Sequence, residues 1–465
     1  MSTPSMTAAQ PTIAARLDRL PMTGSIRRLI TLISLGGIFE FYDLFFIAYV
    51  AVGFFKAGLF TPTTQGFFDL HGFASFVAVT FAGLFVGTIL FSWVSDRYGR
   101  RSIFAFSLLW YSICTFIMAF QNSAVSIDIW RFIASVGIGV ELVNIDTYIA
   151  ELVPKESRGR AFAFNQFIQF IVVPVVAFIA FELVPRKIAG VDGWRIVVII
   201  GSLGAIFIWF IRRGLPESPR WLAMHGRIDE ADAIMTGIEQ AVRTDTGAAL
   251  AEPQVLAGEI QQVQGSWMEI WSPAYRVRTV MLIVYNFFQT IGYYGFASWV
   301  PTLLIQHGIT TTKSLEYTFI IAIANPFGPL IGMLIADRME RKWQICISAF
   351  LIAVFGLIFS RMYSPAGIII FGILITLSNN WLSFAFHTYQ AELYPTRIRA
   401  QAVGFVYSWS RFSVIFTSLW IAAILRSYGV SGVFIFIAIA MLIVIVVIGG
   451  LGANTTGRRL EAVSN

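Results

Sequence analysis

The sequence predicts an all-α integral membrane protein: twelve transmembrane helices in two six-helix pseudo-repeats. Three observations carry that prediction. Of 465 residues, 57% are hydrophobic and only 13% charged, with 43 Phe and 13 Trp, a balance that a water-soluble domain does not carry. The apolar residues fall in runs of the roughly 20 residues that a helix needs to cross a bilayer. One charged cluster also occurs twice: Asp96-Arg97-Tyr98-Gly99-Arg100-Arg101 returns as Asp337-Arg338-Met339-Glu340-Arg341-Lys342. Each Asp is followed 55 residues later by Glu-x-x-Pro, at Glu151 and Glu392, so one membrane unit has been duplicated.

Taken in order, residues 1–27 are polar and lack a short apolar core with a small-residue cleavage site, so they read as a cytoplasmic segment rather than a signal peptide. The first half, 28–212, holds spans at about 28–52, 73–95, 103–121, 127–149, 161–184 and 195–212. The polar segment 213–278 opens with Pro216-Glu217-Ser218-Pro219-Arg220 and continues into an amphipathic stretch from Asp229 to Arg243. It is expected to form short cytoplasmic helices at the membrane surface that join the halves. The second half, 279–452, holds spans at about 279–304, 315–336, 343–361, 366–389, 401–425 and 431–452, with a cytoplasmic tail at 453–465.

Orientation follows from the basic residues. With both termini inside, most of the 33 Lys and Arg lie in cytoplasmic segments, as the positive-inside tendency requires. Topology therefore accounts for the net charge of +7, and a nucleic-acid partner is not expected. Cys114 and Cys346 lie inside spans, which argues against a disulfide framework. No metal-ligand cluster, phosphate-binding glycine loop or nucleophile arrangement is seen, so neither an enzyme nor a cofactor is expected.

The repeated loops have a physical role of their own. An Asp beside a helix start meets orphan N–H groups and the positive end of the dipole. Arg100, Arg101, Arg341 and Lys342 can pair with Glu151, Glu217 and Glu392 across neighbouring helix ends. Such pairs serve as a latch that forms in one conformation and breaks in another, or simply as anchors. The gate set read this way is Asp96, Arg100, Arg101, Glu151, Arg158, Glu217, Arg220, Asp337, Arg341, Glu392 and Arg397.

These motifs resemble those of the major facilitator superfamily, and within it the sugar-porter and organic-ion branches. The resemblance runs through nearly the whole chain: Asp96-Arg97-x-Gly99-Arg100-Arg101, Arg131 with Gly137 and Gly139, Glu151-x-x-Pro154 with Arg158-Gly159-Arg160, Pro216 to Arg220, Asp337-Arg338, and Glu392-x-x-Pro395 with Arg397 and Arg399. Ser92 and Met333 stand where the loop motif begins with Gly, and Glu340 replaces its second Gly, which would loosen close packing there. The resemblance implies a monomeric carrier in the inner (plasma) membrane whose halves rock about a central site, with a small-molecule substrate and protons as partners.

Ionisable residues within spans are costly and mark function. Glu40 and Asp43 are three apart on the first span and share a face. The fourth span carries Arg131, Glu141 and Asp146. Arg131 is in reach of Asp43, and a conformational change that alters their pairing would load or release a proton. A static buried salt bridge is the alternative. In the sugar-porter pattern the first-helix Asp is coupled to protons through the fourth-helix Arg; Glu40 has no counterpart there. Glu40, Asp43, Arg131, Glu141 and Asp146 form the proton-coupling set.

For the substrate, a hexose pocket needs several carboxamides. The sugar-porter Gln-Gln-x-x-Gly-x-Asn run is here Phe288-Gln289-Thr290-Ile291-Gly292-Tyr293-Tyr294. Asn165-Gln166 matches, but Val173 stands at the deeper Gln position and His387 replaces a Trp. Aromatic residues take their place: Tyr293, Tyr294, Trp299, Trp381, Phe384 and Tyr389 are expected around an apolar slot. Arg411 lies within the eleventh span, which has no acid to balance it, and resembles the substrate-binding Arg of organic-anion carriers; a carboxylate fits its fork. The substrate set is Arg411, Gln289, Tyr293, Tyr294, Gln166, Gln169, His387 and Trp381. The resulting expectation is a proton-coupled carrier that takes up a small organic acid or related metabolite. A sugar or polyol symporter, an exporter and a non-transporting nutrient sensor remain alternatives.

Overall fold

The computed structural model describes residues 13–66, 68–154, 158–204, 214–253, 267–335 and 339–455. The described chain is helical apart from short connections and a two-residue hairpin, β1 (Lys187–Ile188) with β2 (Val191–Asp192). Helices α1 (Ile13–Asp18), α2 (Gly24–Lys56), α3 (Phe73–Tyr98), α4 (Arg100–Met118), α5 (Ala124–Leu152), α6 (Arg158–Leu183) and α7 (Gly193–Ser202) come first. The connecting helices are α8 (Pro219–Met224) and α9 (Ile228–Thr246). Then follow α10 (Arg276–Ala297), α11 (Val300–Gln306), α12 (Thr311–Ala322), α13 (Phe327–Ile335), α14 (Arg341–Phe359), α15 (Pro365–Glu392) and α16 (Thr396–Leu451).

Every expected span falls on helix where it is described, and the differences have local causes. Among the described residues, seven helices are long and apolar enough to cross a membrane by composition alone. α5 carries Asp128, Arg131 and Glu141 along its length. Its start is set by Ser123, whose hydroxyl accepts the Ser126 N–H at 3.2 Å. The seventh span is broken at Ser298–Trp299 ahead of Pro301, and the eighth before Pro326. At the second break, the Asn325 carbonyl accepts from Asn380 Nδ2 at 3.1 Å, so freed backbone is satisfied inside the protein. Spans eleven and twelve run together as α16, with the reversal concentrated at Gly429 (φ 65°, ψ −167°), a conformation that suits glycine.

In the first half α2 packs on α5, α6 and α7, and α3 on α5. The α3–α5 contact is a backbone contact: a Cβ on Gly87 would lie 2.1 Å from the Val136 carbonyl oxygen, and one on Gly139 2.4 Å from that of Leu84. In the second half α10 packs on α16, and α14 on α15 and α16. The halves meet along α3–α16 and α6 with α12 and α13. In the connecting segment, Ala231, Met235, Ile238 and Val242 line the buried stripe of α9. Asp245, just past that stripe, accepts the Ser25 N–H at 2.7 Å and so caps α2 from another element.

Candidate functional site

Between the halves lies a cavity with about 910 Å³ of open space. Its first-half wall includes Glu40, Phe41, Phe45, Gln166, Gln169 and Phe170. Facing them are Gln289, Tyr293, Tyr294, His387, Tyr407 and Arg411. Seven of the eight residues expected at the substrate therefore share one cavity. Trp381 does not line it; its indole N–H turns away to Gln344 Oε1 at 3.2 Å. Trp299, Phe384 and Tyr389 are not on this wall either: Trp299 packs on Phe73, Phe384 on Gly332, and the Tyr389 hydroxyl donates to the Ala453 carbonyl at 3.0 Å.

Arg411 is buried, and its guanidinium is held by neutral oxygens. Nη1 donates to the Tyr294 hydroxyl at 2.7 Å and Nη2 to the Tyr407 hydroxyl at 3.1 Å. Both rings also lie beside the cation, with centroids at 5.8 and 5.1 Å. Tyr407 is the residue the sequence reading missed; it lies four residues before Arg411 on α16, the spacing of neighbours on one helix face. His387 places Nδ1 2.7 Å from the Ser383 carbonyl. A carbonyl only accepts, so Nδ1 carries the proton.

Four of the residues expected to couple protons form two adjoining groups. Asp43 and Arg131 are fully buried, with Nη1 to Oδ2 at 2.5 Å and Nη2 to the Asp43 carbonyl at 3.0 Å. Thr80 and Thr115 complete the pair: Arg131 Nε donates to Thr80 at 2.9 Å, and Thr115 donates to Asp43 Oδ1 at 3.2 Å. This pair does not line the cavity. Glu40 does, and Glu141 is buried nearby, within reach of the Glu40 charge. The side chain of Asp146 lies outside the described residues.

At the end of the molecule that bears the repeated motif, the two latches pair the same residue types. Arg100 Nη2 meets Glu151 Oε1 at 2.9 Å, and Arg341 Nε meets Glu392 Oε1 at 2.7 Å; both pairs are 51 residues apart in sequence. Glu217 acts as a helix cap: Oε1 accepts the backbone N–H groups of Arg100 (2.9 Å) and Arg101 (3.2 Å). Gly99 makes room for it, since a Cβ there would lie 2.5 Å from Glu217 Oε2 and φ is 96°. Arg220 pairs with Asp18 of α1 at 2.9 Å and so ties down the N-terminal helix. Asp337 and the side chains of Asp96, Arg158 and Arg397 lie outside the described residues. Glu340, expected to loosen packing, accepts the Thr455 N–H at 2.8 Å, beside Lys342 on the Gly452 carbonyl at 3.1 Å.

The opposite end is shut by contacts between the halves. Phe73 packs edge-on against Trp299 with centroids 5.2 Å apart, and Phe178 and Phe181 both pack on Phe319. Arg426 donates to the carbonyls of Gln65 (2.6 Å) and Thr64 (3.2 Å).

The sequence model of the sugar (and other) transporter family matches residues 29–465. A Bacillus subtilis relative, YyaJ, named for metabolite transport, is 32% identical over 96% of this chain and 96% of its own. The niacin transporter NiaP of Acinetobacter baylyi is 28% identical over 97% of this chain and 99% of its own. Among solved structures, the inward-open xylose transporter XylE from E. coli superposes with a TM-score of 0.72 at 20% identity, over 94% of this chain and 99% of that one.

Proposed function

This chain belongs to the sugar (and other) transporter family, and from that premise we propose that it carries a small, flat organic acid into the cell together with protons. It is a multi-pass membrane transporter, and alternating access between its halves accounts for a central cavity closed at one end. The observation that carries the substrate reading is Arg411: a buried guanidinium on the cavity wall whose hydrogen-bond partners are two neutral tyrosine hydroxyls. A substrate carboxylate would give it a charged hydrogen-bond partner with bidentate geometry. Phe41, Phe45, Phe170, Tyr293 and Phe386 give the same cavity faces on which a ring can lie. The niacin in one relative's name is such a molecule, a pyridine carboxylic acid.

The acids suited to carry the proton are in the first half, Asp43 against Arg131 and Glu40 with Glu141. The latches at the motif-bearing end face the cytoplasm in this reading, because that end collects the basic loops. The closed end then faces outward, in an inner membrane, and the carrier works as a monomer.

Nicotinate and its neutral counterpart nicotinamide test the central contact. Wild type should bind the acid in preference to the amide. Arg411→Ala should lose roughly 2–5 kcal/mol on the acid alone, since a desolvated charge loses its partner. Arg411→Lys, which keeps charge without the fork, should fall between them. Equal binding of acid and amide by wild type would leave Arg411 a structural residue.

A further inference from the structure

We propose that Glu40 is the acid that alternates with the transported anion as counter-charge to Arg411, so that proton and anion share one guanidinium. This rests on the organic-acid reading above. Glu40 is fully buried on the first-half wall, and Arg411 lies on the second-half wall of the same cavity, within range of its charge. The two therefore belong to bodies that move relative to one another during transport.

The surroundings of Glu40 suit a group that changes protonation. A Cβ on Gly37 would meet Gln169 Nε2 at 2.5 Å and Ile145 Cδ1 at 3.1 Å, while Asp43, further along α2, reaches back to Arg131 of α5. The two helices thus run antiparallel. Three residues on from Gly37 and four back from Ile145 then lie at one level, which places Glu40 opposite Glu141. Both oxygens of Glu141 are buried without a hydrogen-bond partner among the described residues, and so is the hydroxyl of Tyr111 on α4. Tyr111 is in range of the charges of Glu40, Glu141 and Asp43.

Among the described residues, these titratable groups surround Glu40. α5 brings Glu141 and α4 brings Tyr111. Across the cavity are Tyr293 and Tyr294 of α10, His387 of α15, and Tyr407 and Arg411 of α16. α6 contributes the uncharged Gln166 and Gln169. On its own helix, Asp43 is already matched by Arg131, and Arg195 of α7 turns to the carbonyls of Ala119 and Gln121. Among the described residues that line the cavity, Arg411 is the cation.

Counted over Glu40, Arg411 and the substrate, charge then balances in two states. Loaded, the substrate carboxylate sits on Arg411 and Glu40 is a neutral acid. Empty, the anion has left, the Glu40 O–H has given its proton to cavity water, and the new carboxylate neutralises Arg411. An empty cavity with protonated Glu40 would leave a lone buried cation. A loaded cavity with ionised Glu40 would hold one anion too many. Both resist closure, because an unmatched charge is costly to desolvate. One proton travels with each monovalent anion, and the cycle moves no net charge.

The test uses purified full-length protein in lipid nanodiscs, with nicotinate as probe and nicotinamide as control, between about pH 6 and pH 8, where nicotinate remains an anion. Wild-type affinity for nicotinate should weaken by up to about tenfold per pH unit as pH rises, the slope of one linked proton. In Glu40→Gln that slope should vanish, and in Glu40→Asp it should persist. Independently, wild type should take up close to one proton per nicotinate bound at the alkaline end, read with a dye in weak buffer; this holds the proposal to account if Glu40→Gln does not fold. An unchanged slope in Glu40→Gln, or no proton uptake by wild type, overturns the role of Glu40 while acid preference through Arg411 stands. Absence of any acid preference in wild type overturns the organic-acid reading, and this inference with it.

Discussion

At the scale of single residues, the Asp43–Arg131 pair and Arg411 show what spacing alone conveys. The first was readable because two opposite charges on apolar spans must find one another. The partners of Arg411 were not, since a tyrosine in an aromatic-rich chain gives no sign of whether its hydroxyl is spoken for; only Tyr407, one turn away, could have been named. Trp381 misled for the same reason: its partner Gln344 sits on another helix, at a distance in sequence that no periodicity reports. Asp43→Asn should expose what the buried pair contributes. It leaves Arg131 without its counter-charge, and a loss of about 3–5 kcal/mol is expected. The measurement is the thermal midpoint in detergent, with Asp43→Leu/Arg131→Met as the apolar control that should recover most of it. A midpoint unmoved by Asp43→Asn would show that the pair is not holding the first half together.

At the scale of elements, span positions were legible because the bilayer imposes a length and an apolar composition. Breaks within them were less so. Pro326 ends a helix, yet Pro174 sits inside α6, and the difference depends on whether neighbours satisfy the freed carbonyls. The tethering of α1 was not legible at all. Arg16 and Arg19 both reach Glu239 of α9, at 2.9 and 2.6 Å, and Arg16 also pairs with Asp232. Burial alone would raise the Glu239 carboxyl, but the bonds from Arg16 and Arg19 hold it below its ordinary value. A carboxylate so lowered contributes fully above the ordinary Glu range, and its contribution is lost as pH falls through the lowered value. Amide exchange in α1 should therefore be slow at about pH 7 and, after correction for intrinsic rates, become faster below about pH 4. Arg16→Ala should give the fast behaviour at both; protection in α1 that is indifferent to pH would show that another contact holds it.

At the scale of the whole molecule, duplication made the architecture visible: two latches with the same residue types and the same 51-residue separation are hard to arrive at twice. What the repeat could not reveal is which end is shut, because that is a property of one conformation rather than of the sequence. The shut end depends on a polar contact beside the aromatic ones, Arg426 on the backbone of the loop after α2. Arg426→Ala should shift the population toward opening there, with an exposed-pair contribution of about 1 kcal/mol or less, a few-fold at most. Labelling of a cysteine placed at Thr64 should then be correspondingly faster, and unchanged labelling would mean the rings alone keep that end closed. The latches differ in one respect. The second is braced by residues 452–455, through Lys342, Tyr389 and Glu340, where the first is braced by Glu217. A fluorophore or affinity handle attached just beyond Thr455 would hang from moving machinery, so the most convenient place to mark this carrier is also one where the mark would feel it turn over.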